Sequence, residues 1–334
     1  MKALVLGATG RIGNAIVREL LNQGAAVSAV SRRVQPPENL IDLDLDYRSG
    51  DANRPGQIES WVAGHELVVD AAAPYHLWLF QDAPSAARLA SAERQLSALL
   101  ESVARHNCAF AFVGSQATDD RQRPMLGRAQ ARILRLLHPY FELKRRMESK
   151  IRRAMRDGLR AVIVSPTFCI GPGDISDPDL AFIPMTVNGA LPATNSHALN
   201  VMDVRDVAAL LAAAVAKSAF GSSIAVVGHN TTLEMLTDLI CRTAGVPRPR
   251  WYTPSTLAAA AAYANELINA SGLREPDYPS VGALLMLEQG WALPNAAQRK
   301  LGVELRPLSR SVTEAIDWYR RRGVLHPRPT ASAH

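Results

Sequence analysis

The chain has 334 residues and a net charge of +6, with 48% hydrophobic and 20% charged residues, an ordinary globular composition able to bury a substantial core. No apolar run is long enough to cross a membrane, and Cys108, Cys169 and Cys241 lack the spacing of metal ligands. Three scattered thiols and a chain that starts inside its first strand lead us to expect a reduced, cytoplasmic protein.

The opening stretch, MKALVLGATGRIG, organises the rest of the chain. Lys2 to Leu6 form a short apolar strand, Gly7 breaks it, and Gly10 and Gly13 come next at three-residue spacing. Ile12, Ile16, Val17 and Leu20 then open a helical stripe. Glycines between a strand and a helix let the backbone turn sharply and approach a pyrophosphate, while the helix N-terminus offers N–H groups to the phosphates. A purely structural turn uses the same residues, but the position directly after a first strand favours a dinucleotide site formed by Gly7, Thr9, Gly10, Arg11, Ile12 and Gly13.

A second strand, Ala26 to Val30, ends in Ser31-Arg32-Arg33. In dinucleotide folds this position, roughly 20 residues past the glycine loop, faces the adenosine ribose. An acid there would bind the 2′-hydroxyl; two arginines and no acid favour NADP(H), with NAD(H) as the other possibility. A third strand is expected over Ile41 to Tyr47, leading to Gly50-Asp51-Ala52 and a short helix. The fourth, Leu67 to Asp70, is followed by Ala71-Ala72-Ala73-Pro74, small residues that suit either a close cofactor or plain packing. The aromatic run Tyr75 to Phe80, with Trp78 inside it, is either part of a ligand loop or a hydrophobic plug.

Residues 83–106 read as a helix, Ala109 to Val113 as a fifth strand closing on Gly114-Ser115-Gln116, and 138–157 as a second long helix. Residues 121–153 carry eleven Arg or Lys against two Glu; without interleaved aromatics this is a solvated face that can also attract a phosphorylated cofactor, not a nucleic-acid surface. Tyr140, Lys144 and Glu148 lie four apart and therefore on one helical face. Ala161 to Ser165 is a sixth strand, ending in Pro166-Thr167-Phe168 and Gly171-Pro172-Gly173-Asp174. Asn200 to Val204 leads an Ala-rich helix, Ser223 to Val227 returns as a strand, and helices are expected at 232–244, 254–270 and 311–322. Alternation of this kind gives an α/β fold, a doubly wound parallel sheet.

Ser115, Tyr140 and Lys144 suit a carbonyl/alcohol redox reaction. An ammonium beside a phenol lowers its pKa from about 10 toward working pH. The phenol can then give a proton to a carbonyl oxygen that Ser115 orients.

The pieces GATGRIG, GDANRP, VVDAAAP, FVGSQAT, YFELKRRME, SPTFCIGPGD, NVMDVRDVA and EAIDWYRRRG together resemble an extended short-chain dehydrogenase/reductase of the NAD-dependent epimerase/dehydratase superfamily. AAPYHLW and SPTFCIGPGD are closer to dihydroflavonol-reductase-like and hopanoid-associated members than to sugar epimerases. The resemblance implies a Rossmann domain over 1–171 and 200–228, a mostly helical substrate lobe over 172–199 and 229–324, a frayed tail over 325–334, and a homodimer through the two long helices. It also implies catalytic roles for Ser115, Tyr140 and Lys144 (Lys144 holding the nicotinamide ribose as well), an adenine contact for Asp51, and nicotinamide contacts for Pro166 and Thr167. Three departures stand out: Gly114 where a second serine is frequent, Ser91-Ala92-Glu93 in place of a polar lead-in, and Ser165 where an arginine is common.

From Ala161 to Val204 there is no Lys or Arg, so a substrate pyrophosphate would lack its cations. Phe168, Phe182, Ile183, Met185 and Val187, with Tyr75, Trp78 and Phe80 opposite, fit an apolar ketone, whether aromatic, polyketide-like or terpenoid; all of them also fit a plain core. The expectation is therefore an NADP(H)-dependent reductase of a hydrophobic small molecule. An NAD-dependent sugar epimerase or dehydratase and a non-catalytic NADP sensor are the alternatives.

Overall fold

The computed structural model describes residues 1–52, 54, 56–72, 86–118, 139–191, 193–271 and 296–326. Ala73, Tyr75, Trp78 and Phe80, most of the basic 121–153 segment and residues 327–334 of the tail lie outside them.

Short apolar runs become strands and the amphipathic stretches between them become helices. In chain order these are β1 (Lys2–Leu6), α1 (Arg11–Asn22), β2 (Ala26–Ser31), β3 (Asp46–Ser49), α2 (Gln57–Val62), β4 (Leu67–Asp70), α3 (Ala86–Arg105), β5 (Ala109–Val113), α4 (Pro139–Arg156) and β6 (Ala161–Pro166). After β7 (Phe168–Ile170) come α5 (Phe182–Val187), β8 (Ala193–Thr194), β9 (Ala198–Asp203), α6 (Val204–Ala216) and β10 (Ser223–Val226). The chain then forms β11 (His229–Thr232), α7 (Leu233–Ala244), β12 (Trp251–Tyr252), α8 (Ser255–Ala270), α9 (Ala296–Leu301) and α10 (Leu308–Arg321).

Seven strands form one parallel sheet in the order β10-β6-β5-β4-β1-β2-β3. Helices cover both faces, which is why its central strands are apolar throughout rather than alternating. Val5, Val69 and Val164 point to the side packed by Ile16, Val17 and Leu20 of α1 and Val207 and Leu211 of α6. Leu4, Val68, Phe110, Phe112 and Ile163 point to the other, against Leu99 and Val103 of α3 and Met147 and Ile151 of α4.

A second sheet, β11-β9-β7, carries a third core with α5, α7 and α10. Strand β9 serves two cores: Leu199 and Val201 face the third, while Met202, one residue on, faces the first. The period of two along a strand makes that division possible.

The expected third strand is misplaced. Leu40 and Ile41 donate backbone hydrogen bonds to Pro37 and Leu43 to Leu40, so the chain is still turning where Ile41 to Tyr47 reads as strand. Pairing with β2 begins only at Asp46. Ile41 is 63% exposed, while Leu43 and Leu45 reach the first core from a turn. Asn200 to Asp203 leads into the Ala-rich helix as the end of strand β9, which pairs with β11 on one side and β7 on the other; Asp203 caps the helix that begins at Val204.

Candidate active site

The ends of β1, β2, β4, β5 and β6 bring most of the expected site residues to the carboxyl edge of the parallel sheet, where ligands of open α/β folds sit. Gly7 has φ +78°, and a Cβ there would stand 2.6 Å from the carbonyl of Ala71 and 2.7 Å from Cα of Ala72. A Cβ on Gly13 would come 2.1 Å from the Gly7 carbonyl oxygen. The loop is thus closed onto Ala71 and Ala72 as tightly as backbone allows. Gly10 is exposed and stands at the N-cap of α1; among the described residues no side chain caps this end, and no acid occupies its first turn. These features fit a dinucleotide pyrophosphate: a cradle too small for Cβ atoms and a helix end left open to an anion.

Arg11 begins α1, but its side chain turns away from the loop. Its guanidinium donates to the Cys169 carbonyl at 2.6 Å and lies 3.2 Å from the buried Asp174 carboxylate. Asp174 also accepts from Ser176 and from the Tyr319 hydroxyl at 2.8 Å, and its own carbonyl accepts from Trp318 and Arg322. The start of the first helix is thereby tied to the last. Thr9 is half-buried and its carbonyl accepts from Asn39.

Arg32 and Arg33 are exposed in the turn after β2, and neither guanidinium has a partner among the described residues. The turn itself is fixed: the Arg33 N–H donates to Ser31 Oγ, and the Tyr47 hydroxyl donates to the Arg33 carbonyl at 2.9 Å. Asp51 follows β3 on the same edge, its N–H donating to Gln57.

Helix α4 runs beside β5 and β6 and buries Tyr140, Lys144 and Glu148 on one face. Lys144 Nζ donates to the Val113 carbonyl at 2.7 Å and lies 4.8 Å over the Phe112 ring. Burial pushes this ammonium down to about 8, against the opposing pull of the Asp70 and Glu148 carboxylates. Asp70, fully enclosed at the end of β4, has its carboxyl pushed up by the same cause while accepting from the Ala72 N–H. Ser115 follows β5; its N–H donates to Glu148 Oε1 and its carbonyl accepts from Thr118.

Thr167 spends its hydroxyl on Asn200 Oδ1 at 2.7 Å, beside Pro166 at the end of β6. Phe168 packs edge-on against Phe182 with ring centres 5.7 Å apart, and Met185 is buried in α5. Ile183 and Val187 belong to the third core. No group of three metal-binding side chains occurs among the described residues, and no described helix is long and apolar enough to cross a membrane.

Residues 7–218 match the family of NAD(P)H-binding proteins. The chain belongs to that family. Its seven-stranded parallel sheet is Rossmann-like. A Synechocystis protein named "Putative dihydroflavonol 4-reductase" is 28% identical over 96% of this chain and 95% of its own. Sterol demethylase protein B of Methylococcus capsulatus is 26% identical over 97% of this chain and all of its own. The crystal structure of a nucleoside-diphosphate-sugar epimerase from Pseudomonas aeruginosa superposes with a TM-score of 0.70 at 21% identity, over 98% of this chain and 99% of the other.

Asp70, Asn200, Asp174 and Tyr319 all lie within the quoted motifs, but none of them has an expected role there, and Arg11 is expected at the pyrophosphate rather than in its ion pair with Asp174. An acid closing the buried run Leu67-Val68-Val69 was the one visible signal, since a carboxyl there must be enclosed.

Proposed function

We propose that this protein is an NADP(H)-dependent reductase acting on the ketone of a hydrophobic small molecule. The observation that carries the reading is a closed glycine cradle on the same sheet edge as Ser115, whose N–H donates to Glu148 of the helix that buries Tyr140 and Lys144. The nicotinamide, when bound, supplies the hydride. Tyr140 gives its hydroxyl proton to the carbonyl oxygen as the alcohol forms, and Ser115 hydrogen-bonds the same oxygen. Lys144 favours the phenolate left behind and holds the nicotinamide ribose. Gly7, Thr9, Gly10, Arg11, Ile12 and Gly13 hold the pyrophosphate through backbone, Ala71, Ala72 and Ala73 let the cofactor approach, and Asp51, Pro166 and Thr167 flank its two ends. Arg32 and Arg33, with guanidiniums unengaged by described residues, take the 2′-phosphate.

In this reading residues 1–171 and 200–228 bind the cofactor, and 172–199 with 229–324 form the substrate lobe. The absence of any Lys or Arg from Ala161 to Val204 favours an apolar substrate over a nucleotide-sugar. A relative named for dihydroflavonol 4-reductase supports the same choice. The likeness to a sugar epimerase structure favours the second reading, transient oxidation of a sugar with retained NAD.

Separate NADPH and NADH titrations followed by fluorescence, after checking for cofactor retained through purification, decide between the two. Tight NADPH binding lost in Arg32→Ala, with turnover of 1-tetralone or a 3-ketosteroid, is the expected result. Retained NAD or a preference for NADH overturns it. A Tyr140→Phe variant that turns over at the wild-type rate would remove the proposed proton donor.

A further inference from the structure

Glu148 stands one helical turn beyond Lys144 and two beyond Tyr140, with its side chain only 7% exposed. Its two oxygens face different parts of the molecule. Oε2 accepts from the Arg152 guanidinium at 2.8 Å, an ordinary pair along α4. Oε1 faces the loop after β5: the Ser115 N–H lies 3.3 Å away and the Thr118 hydroxyl 3.2 Å. The same hydroxyl is 2.7 Å from the Ser115 carbonyl, so this carboxylate and Thr118 clasp both backbone groups of Ser115.

Gly114 shows how closely the carboxylate fits. A Cβ there would meet Ser165 Oγ at 2.4 Å, Glu148 Oε1 at 2.7 Å and Ile163 Cγ2 at 3.1 Å. Gly114 and Ser165 therefore belong to one packing arrangement. A small residue at each leaves room for a carboxylate under the loop. Burying a carboxylate is unfavourable unless it is hydrogen-bonded on both sides, and here one side is the loop that carries Ser115.

We propose that Glu148 is a positioning residue of the site: its buried carboxylate holds the Ser115 loop from beneath. The proposal rests on the reductase reading given above.

Three variants test this role. Glu148→Ala removes both the acceptor and the charge. Glu148→Gln keeps a carbonyl oxygen for the Ser115 N–H but removes the charge. Gly114→Ala keeps the charge and pushes the carboxylate aside, because its methyl would sit 2.7 Å from Oε1. Amide hydrogen exchange over residues 113–118 needs no turnover, and about tenfold faster exchange is expected in Glu148→Ala and Gly114→Ala, with Glu148→Gln near wild type. Turnover of 1-tetralone with NADPH should fall about tenfold or more in Glu148→Ala, in kcat rather than KM.

Unchanged exchange in Gly114→Ala overturns the proposal, and this variant carries the test if Glu148→Ala does not fold. Failure of the reductase reading looks different: Tyr140→Phe then keeps wild-type turnover, while the exchange comparison still decides whether Glu148 holds the loop.

Discussion

Replacing Gly13 with alanine tests the cradle in isolation. The added methyl would stand 2.1 Å from the Gly7 carbonyl oxygen, 2.7 Å from its carbonyl carbon and 3.1 Å from Cα of Ala8. All three are backbone atoms, so no rotamer change relieves the overlap. Restoring contact at about 3.5 Å requires α1 to move more than about 1 Å from the loop. Its inner residues, Ile16, Val17 and Leu20, are locked in the first core, so the shift carries a packing cost of about 1–3 kcal/mol. The same shift withdraws the helix N-terminus from a bound pyrophosphate. A misplacement of that size costs on the order of tenfold to hundredfold in NADPH affinity, about 1.4–2.8 kcal/mol.

Two other glycines serve as controls. A Cβ on Gly10 comes only to 3.3 Å from the Gly7 oxygen, which the neighbour can absorb, so Gly10→Ala should weaken NADPH by threefold at most. Gly24 has φ +76° and open space around it, so Gly24→Ala should lose about 1–2 kcal/mol of stability from the left-handed backbone with unchanged NADPH binding. Fluorescence titration and thermal unfolding of the three variants read both quantities. NADPH affinity in Gly13→Ala within threefold of wild type, or an equal loss in Gly24→Ala, would refute the steric reasoning.

Tyr140→Phe should lower kcat by about 10²–10⁴-fold with NADPH binding intact, as stopped-flow and titration would show. Arg32→Ala should raise the NADPH dissociation constant about tenfold and leave NADH unaffected, a comparison made by parallel titration. Asp174 is opposed by burial, but Arg11 beside it and hydrogen bonds from Ser176 and Tyr319 outweigh that and hold its carboxyl below the usual range. A folded-state value below the unfolded one stabilises at neutral pH, and that contribution fades as pH falls through the folded value. Asp174→Asn should therefore lose about 2–4 kcal/mol at pH 7, and its deficit against wild type should shrink in acid-unfolding curves. Burial pushes the Cys169 thiol up to about 12 and raises Cys108 and Cys241 as well, so none of the three should react with iodoacetamide at pH 8 until the chain unfolds.

The strands that sequence located well are those buried on both faces. Leu4 and Val5 serve opposite cores, as do Val68 and Val69, so every position must be apolar and the run announces itself. β3 lies at the sheet edge and reads DYRS, with none of that apolar signal. The alternating Ile41, Leu43, Leu45 and Tyr47 before it imitates a strand although the chain is turning. The candidate site divides in the same way. Gly13, forced by a Cβ approach of 2.1 Å to Gly7, and Tyr140, Lys144 and Glu148, repeated at helical spacing, depend on neighbours within a few residues or on one helix face. Asp174 and Tyr319 meet across 145 residues and Thr167 and Asn200 across 33, and nothing local to either partner announces the other.

Two glycines show what separates a ligand cradle from plain packing. A Cβ on Gly228 would come 1.9 Å from the Val201 carbonyl oxygen, an overlap as severe as that at Gly13. Yet the Gly228 N–H donates to Asn200 Oδ1 at 2.7 Å, and its carbonyl accepts from Asn200 Nδ2 at 3.1 Å, so its polar groups are satisfied within the protein. At the glycine loop the Gly10 N–H turns back to Gly7, but helix α1 begins there with no side-chain cap and no acid in its first turn. Close approach requires glycine in both places. What favours the first as the proposed anion site is a helix end left uncapped among the described residues, with two arginines that no described residue engages at the next strand end along the same edge.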